Sequence, residues 1–196
     1  MKSINTNVKN EIVINKSKFI TYLYKVNSIE EINKYLDNFN KEYKDATHIC
    51  YAYIIDNYKK ASDDAEPSGT AGLPILNVLE KNELNYILAV VIRYFGGIKL
   101  GAGGLVRAYS SSITECLSKT NIIELIDGFL IRITINYENI NTIDNLLKDV
   151  DIKYKEYDEL ITYEFEISKN SNLIDLIKKN STSFTILDNI KITKKD

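Results

Sequence analysis

Residues 8–14 and 18–24, rich in β-branched and aromatic positions, read as two strands. Asn15-Lys16-Ser17 between them suits a hairpin turn. Ser28 followed by Glu31 is a capping box. The helix it opens carries Ile29, Ile32, Tyr35, Leu36 and Phe39 at helical spacing. Residues 47–56 predict a strand with His48, Cys50, Ala52 and Ile54 on one face and Ile49, Tyr51, Tyr53 and Ile55 on the other. Both faces are mostly apolar, so the strand is central. A polar loop is expected over 59–69 and a helix over 71–81, with Pro74 tolerated in its first turn. The unbroken apolar stretch 86–93 predicts a strand buried on both faces. A glycine loop over 95–104 then leads to a helix over 105–119. The inner face of that helix is Leu105, Tyr109, Ser112, Ile113, Cys116 and Leu117.

The rhythm changes after residue 128. A strand over 129–137 is followed by a helix over 140–148 and strands over 153–157 and 160–167 about Asp158-Glu159. A helix over 172–179 and a last strand over 184–192 complete the order βαββαβ, which is the ferredoxin-like pattern. The expected fold class is α+β, in two domains, 1–122 and 128–196, with the boundary in 121–128.

Composition narrows the choices. The chain has 196 residues, 44% apolar and 27% charged, which is enough apolar surface for a core. The net charge is −2. Residues 1–121 hold 15 Lys+Arg against 13 Asp+Glu, and residues 122–196 hold 10 against 14. Binding of nucleic acid by bulk charge is therefore not expected, and a contact would need a local basic patch in the first part. The N-terminus lacks the apolar centre of a signal peptide. The chain's longest apolar run, 87–92, is far short of the ~20 residues that span a bilayer. No membrane association is expected. Cys50 and Cys116 lie far apart, so two reduced thiols in a cytoplasmic protein are expected.

Both prolines and seven of the eight glycines fall between Pro67 and Gly104. Special backbone geometry is expected there. Two segments of this window have residues suited to chemistry. In the first, Asp63, Asp64 and Glu66 precede Pro67, Ser68, Gly69 and Thr70. Three carboxylates within four residues can hold Mg²⁺, and Ser68 and Thr70 can meet a phosphate or a ribose. The plainer reading is a solvated acidic turn with Thr70 as a helix N-cap. In the second, Arg93, Tyr94, Gly96, Gly97, Lys99, Gly101, Gly103, Gly104 and Arg107 run from a strand through a loop into a helix. Free N–H groups and a helix dipole aimed at one point suit an anion, and Arg93, Lys99 and Arg107 add charge. Glycines that permit close packing are the plainer reading here. Tyr94 and Phe95 can stack on a base. The stripe Tyr22, Tyr24, Tyr51 and Tyr53 can do so too, though ordinary packing explains it. His48, the only histidine, suits a structural or rim position better than a catalytic relay. No catalytic residue, metal site or cofactor is assigned.

These two strings, together with Ala46-Thr47-His48-Ile49-Cys50-Tyr51-Ala52-Tyr53, resemble the Impact/YigZ family over about residues 1–120. The resemblance implies a first domain with the ribosomal-protein S5 domain 2-like fold and a second like the fifth domain of elongation factor G. Eukaryotic relatives regulate translation, and RNA or ribosome binding has been proposed for bacterial ones. Two residues depart from the family pattern. Ala65 replaces a common Gly, which argues against any role that needs φ > 0 there, and Leu73 replaces a basic or polar residue. The first expectation is a non-enzymatic protein bound to RNA or the ribosome. A protein-interaction module with a translation-linked partner comes next, and a Mg²⁺-dependent enzyme on nucleotides or phosphometabolites comes last. On this reading, replacing Arg93, Lys99 and Arg107 together by Ala removes ligand contact with little loss of stability.

Overall fold

The structure is a computed structural model and describes residues 1–194. The chain divides into two compact units, Met1–Glu124 and the residues from Leu125 onward. Both mix sheet and helix. Among the described residues no helix is long and apolar enough to cross a membrane.

In chain order the first unit contains β1 (Lys2–Ile4), β2 (Val8–Ile14), β3 (Ser17–Lys25), α1 (Ile29–Glu42), β4 (His48–Ile55), β5 (Tyr58–Ser62), α2 (Gly72–Lys81), β6 (Ile87–Tyr94) and α3 (Gly101–Leu117). Five strands form an antiparallel sheet in the order β2-β3-β6-β4-β5. β6 is its middle strand, which is why residues 86–93 lack polar alternation. One face of the sheet packs Phe19, Leu23, Cys50, Ala52 and Val91 against α2 and α3 through Ile75, Leu79, Tyr109 and Ile113. The other face packs Ile20, Leu88, Val90 and Ile92 under α1 through Ile32 and Phe39. The tyrosine stripe belongs to this second layer. Tyr24 stacks on Tyr35 at 4.5 Å, Tyr22 lies 4.8 Å from Phe39, and the hydroxyls of Tyr22 and Tyr43 share a hydrogen bond. At the α1 cap Ser28 Oγ accepts from the Glu31 N–H as expected, while Glu31 Oε2 accepts from the Asn27 N–H, one residue before the N-cap.

The second unit contains most of β7 (Ile122–Ile135), then α4 (Ile140–Leu146), β8 (Asp151–Tyr157), β9 (Ile161–Ser168), α5 (Leu173–Lys179) and β10 (Ser183–Thr193). The strands pair antiparallel in the order β10-β7-β9-β8. Ile131, Ile133, Tyr163, Phe165 and Ile167 bury one face against Ile143, Leu147 and Ile177. Arg132 and Glu164, a salt-bridged pair, have the opposite parity and remain accessible to solvent.

Three expectations change. The stretch 59–69 is not all loop, because Tyr58–Ser62 forms the edge strand β5 on β4. Its exposed lysines are typical of an edge and hid the pattern. The glycine loop is shorter than expected. α3 starts at Gly101 and takes Gly103 and Gly104 into its first turn, despite the poor helix propensity of glycine. Lastly, the strand expected over 129–137 begins at Ile122, inside the boundary region 121–128. β7 runs through it, with Ile122–Glu124 paired to β1, a strand that three residues were too few to reveal.

The loop after β6 is fitted closely to the β2–β3 turn. Asn15 and Lys16 have φ of 46° and 64°, as in the primed turns that join tightly paired strands. Gly96 lies against that turn, and a methyl group on it would sit 2.0 Å from the Lys16 carbonyl carbon. Gly96→Ala should therefore lower stability by about 3 kcal/mol, the upper range for overpacking, as read by urea unfolding. An unchanged midpoint would show that the loop is free to move away.

Candidate functional site

Antiparallel register brings the two motif segments together at one end of the first sheet. Arg93 on β6 pairs with His48 on β4 and with Phe19 on β3. It is 5% exposed, and its guanidinium carbon lies 5.5 Å from the Phe19 ring centre and 5.6 Å from that of Phe95. Nη1 donates to Glu66 Oε1 at 2.5 Å. Glu66 is itself 7% exposed, and the same oxygen accepts from the Tyr109 hydroxyl of α3 at 2.8 Å. Burial, with Cys50 and Glu66 adding, pushes the Tyr109 phenol up, so it stays a donor.

A turn delivers Glu66 to this place. Asp64 and Ala65 have φ of 44° and 63°, and the Glu66 N–H donates back to the Asp63 carbonyl at 2.9 Å. Ala65 therefore does adopt the left-handed backbone that its side chain argued against. An L-residue pays roughly 1–2 kcal/mol there, and the buried interactions of Glu66 offset it.

The three carboxylates do not converge on a cation. Asp63 accepts from the N–H groups of Gly69, Ala71 and Gly72 at 2.8–3.0 Å. Burial pushes its carboxyl up, but these backbone bonds outweigh that and hold it below its ordinary value. Asp63, not Thr70, is thus the residue that satisfies the start of α2. A carboxylate is the stronger acceptor for a helix dipole, and the Thr70 hydroxyl donates instead to the Pro67 carbonyl. Asp64 Oδ2 accepts from the Ile49 N–H. Glu66 is held by Arg93 and Tyr109. Among the described residues no three His, Cys, Asp or Glu side chains cluster to hold a metal.

His48 sits at the rim with 18% of its side chain exposed. Its Nδ1 lies 2.6 Å from the Asp64 carbonyl, an acceptor only, so Nδ1 carries a proton. Nε2 is 3.8 Å from Glu66 Oε2. The Cys50 thiol lies 3.0 Å from the Asp63 carbonyl and 3.3 Å from the Tyr109 oxygen. Burial pushes it up to about 12, which leaves it a neutral packing group and no nucleophile.

Beside this network opens a cavity of about 360 Å³. Its polar lining is Thr47, His48, Glu66, Arg93 and Lys99, and Pro67, Phe95, Leu100, Ala102 and Leu105 supply apolar wall. Gly101, at φ 67°, also lines it. No side chain caps the start of α3. Lys99 is exposed and has no ion pair among the described residues. The other expected residues lie elsewhere. Arg107 lines a separate cavity with Asn15 and Ser111. The Tyr94 hydroxyl donates to Asp45, and Lys18 lies over its ring. Ser68 and Gly97 are exposed off the cavity wall. Gly69 and Thr70 belong to the turn into α2, and Gly96 contacts the hairpin. Gly103 and Gly104 are helical. Thus Arg93, Lys99 and Arg107 do not share one anion, and Arg93 already has a carboxylate, so replacing all three costs stability, contrary to the expectation from sequence. Strand parity would have separated Tyr94 from Phe95, since 93 and 95 share a face and 94 does not.

Comparison with known proteins adds to this geometry. Residues 15–117 match the Impact N-terminal domain family. The chain is 43% identical to IMPACT family member YvyE of Bacillus subtilis over 161 residues, 81% of this chain and 74% of that protein. It is 41% identical to IMPACT family member YigZ of Escherichia coli over 109 residues, 53% of each. A crystal structure of a hypothetical protein aligns with a TM-score of 0.64 at 28% identity, over 99% of this chain and 98% of that one.

Removing either partner of a buried pair leaves an uncompensated charge. Glu66→Ala and Arg93→Ala should each lower stability by about 3–5 kcal/mol in denaturant unfolding, and the double variant by clearly less than their sum. Additive losses would mean the two charges do not depend on each other. Ala65→Gly should raise stability by about 0.5–1 kcal/mol, as relief of the left-handed strain exceeds the added chain entropy. A lowered unfolding midpoint would refute that strain.

Proposed function

The chain belongs to the Impact family, and from that membership we propose that it is a non-enzymatic, cytoplasmic RNA- or ribosome-associated protein that acts in the regulation of translation. One observation carries the reading. The uncapped start of a 17-residue helix and the exposed Lys99 meet at one cavity. Orphan N–H groups, the positive end of a helix dipole and an ammonium group make a natural seat for a phosphate. The fold gives further support. The strand order β10-β7-β9-β8 with βαββαβ connectivity supports reading the second unit as ferredoxin-like. The first unit, a sheet with α2 and α3 on one face, is read as the S5 domain 2-like domain. Both folds occur in proteins of the translation machinery, which is an argument by analogy. Binding is favoured over catalysis because the carboxylates are each engaged separately and the thiol is buried and neutral.

The acidic balance of residues 122–196 keeps the contact local, so few phosphates are engaged. The test is capture of RNA from native lysate on the tagged chain, with a nuclease control, followed by titration of the recovered RNA against salt. For single-stranded RNA, log K should fall against log salt with a slope of about −1 to −2. Lys99→Ala should make that slope shallower by about 0.7. No RNA retained at low salt, or a slope of zero, would overturn the reading.

A further inference from the structure

The cavity at the start of α3 is a recess, not a track. An internal stretch of RNA needs cations spaced along a groove. Here Lys99 and Arg107, the exposed cations of the segment, line different cavities. What the recess offers is one concentrated positive point. Glu66 cancels Arg93. Lys99 and the helix dipole, equivalent to roughly +0.5 charge, remain. That sum approaches the charge of a phosphate monoester, about −1.5 to −2 at neutral pH. A phosphodiester or a carboxylate carries only a single negative charge.

A second observation is independent of the helix. Arg93 Nε is the buried side-chain nitrogen that lacks a hydrogen-bond partner among the described residues, in a side chain only 6% exposed that lines this recess. Buried N–H donors are nearly always satisfied, and an anion in the recess would supply an acceptor. Next to it Phe95 is 46% exposed, with one contact already made to Arg93. A flat group attached to the anion would find an aromatic surface there.

We propose that the recess recognises a terminal phosphate monoester whose nucleoside lies against Phe95, carried at the end of an RNA or on a free mononucleotide. This rests on the phosphate-binding reading above and narrows it from backbone to chain end. The test uses the full chain and one short oligoribonucleotide in two forms, 5′-phosphate and 5′-hydroxyl, with adenosine monophosphate as a third probe. Affinities are read by calorimetry. The 5′-phosphate form should bind at least tenfold more tightly than the 5′-hydroxyl form. Lys99→Ala should remove most of that difference with its thermal melt unchanged, and Arg107→Ala should leave it intact. Equal binding of both RNA forms would overturn the proposal while leaving RNA binding standing. Binding of adenosine monophosphate with neither RNA bound would support the monoester site and overturn the RNA reading. No binding by any probe would overturn both.

Discussion

A carboxylate and a guanidinium buried side by side hold together parts of the first unit that are far apart in sequence. Glu66 and Arg93 are 27 residues apart, and Tyr109 on α3 completes the same oxygen's shell. Each charge would be costly in that place without the other. The loop after β5, the end of β6 and the middle of α3 therefore depend on one another. The pair also sets the character of the neighbouring cavity, because it withdraws Arg93 as a free cation and leaves Lys99 in that role.

Such a pair also explains why strained backbone survives nearby. Two pairs of consecutive non-glycine residues in the first unit lie in the left-handed region, Asn15-Lys16 and Asp64-Ala65. Both adjoin the site: Lys16 abuts Gly96, and Ala65 precedes Glu66. Over-determined surroundings are what allow strain to persist. Here they are the hydrogen bonds of Asp63, Asp64 and Glu66, which tie the second turn to α2, β4 and α3 in turn.

Much of the fold was legible in the chain because its signals are local. The Ser28–Glu31 cap, the apolar stretch of β6 and the inner face of α3 all act over a few residues. The site was less legible because its logic is tertiary. Arg93, Lys99 and Arg107 look alike in a linear string, yet one is buried against Glu66, one lines the cavity and one faces elsewhere. Thr70 stands where a cap is expected, but Asp63, from before the loop, reaches the helix start. Ala65 concealed its turn because side-chain identity reports preference, and buried contacts made further along the chain can outweigh it.

The two cysteines give the first unit a built-in clock. Both are fully buried, with thiols pushed by burial to about 12, and the second unit contains none. An alkylating reagent can reach either sulfur only when its surroundings open. Cys50 touches the Asp63–Tyr109 network, whereas Cys116 lies at the far end of α3 beside the carbonyls of Val8 and Thr21. The relative labelling rates of the two sulfurs thus separate local breathing of the cavity wall from detachment of the helix, without any probe being added to the chain.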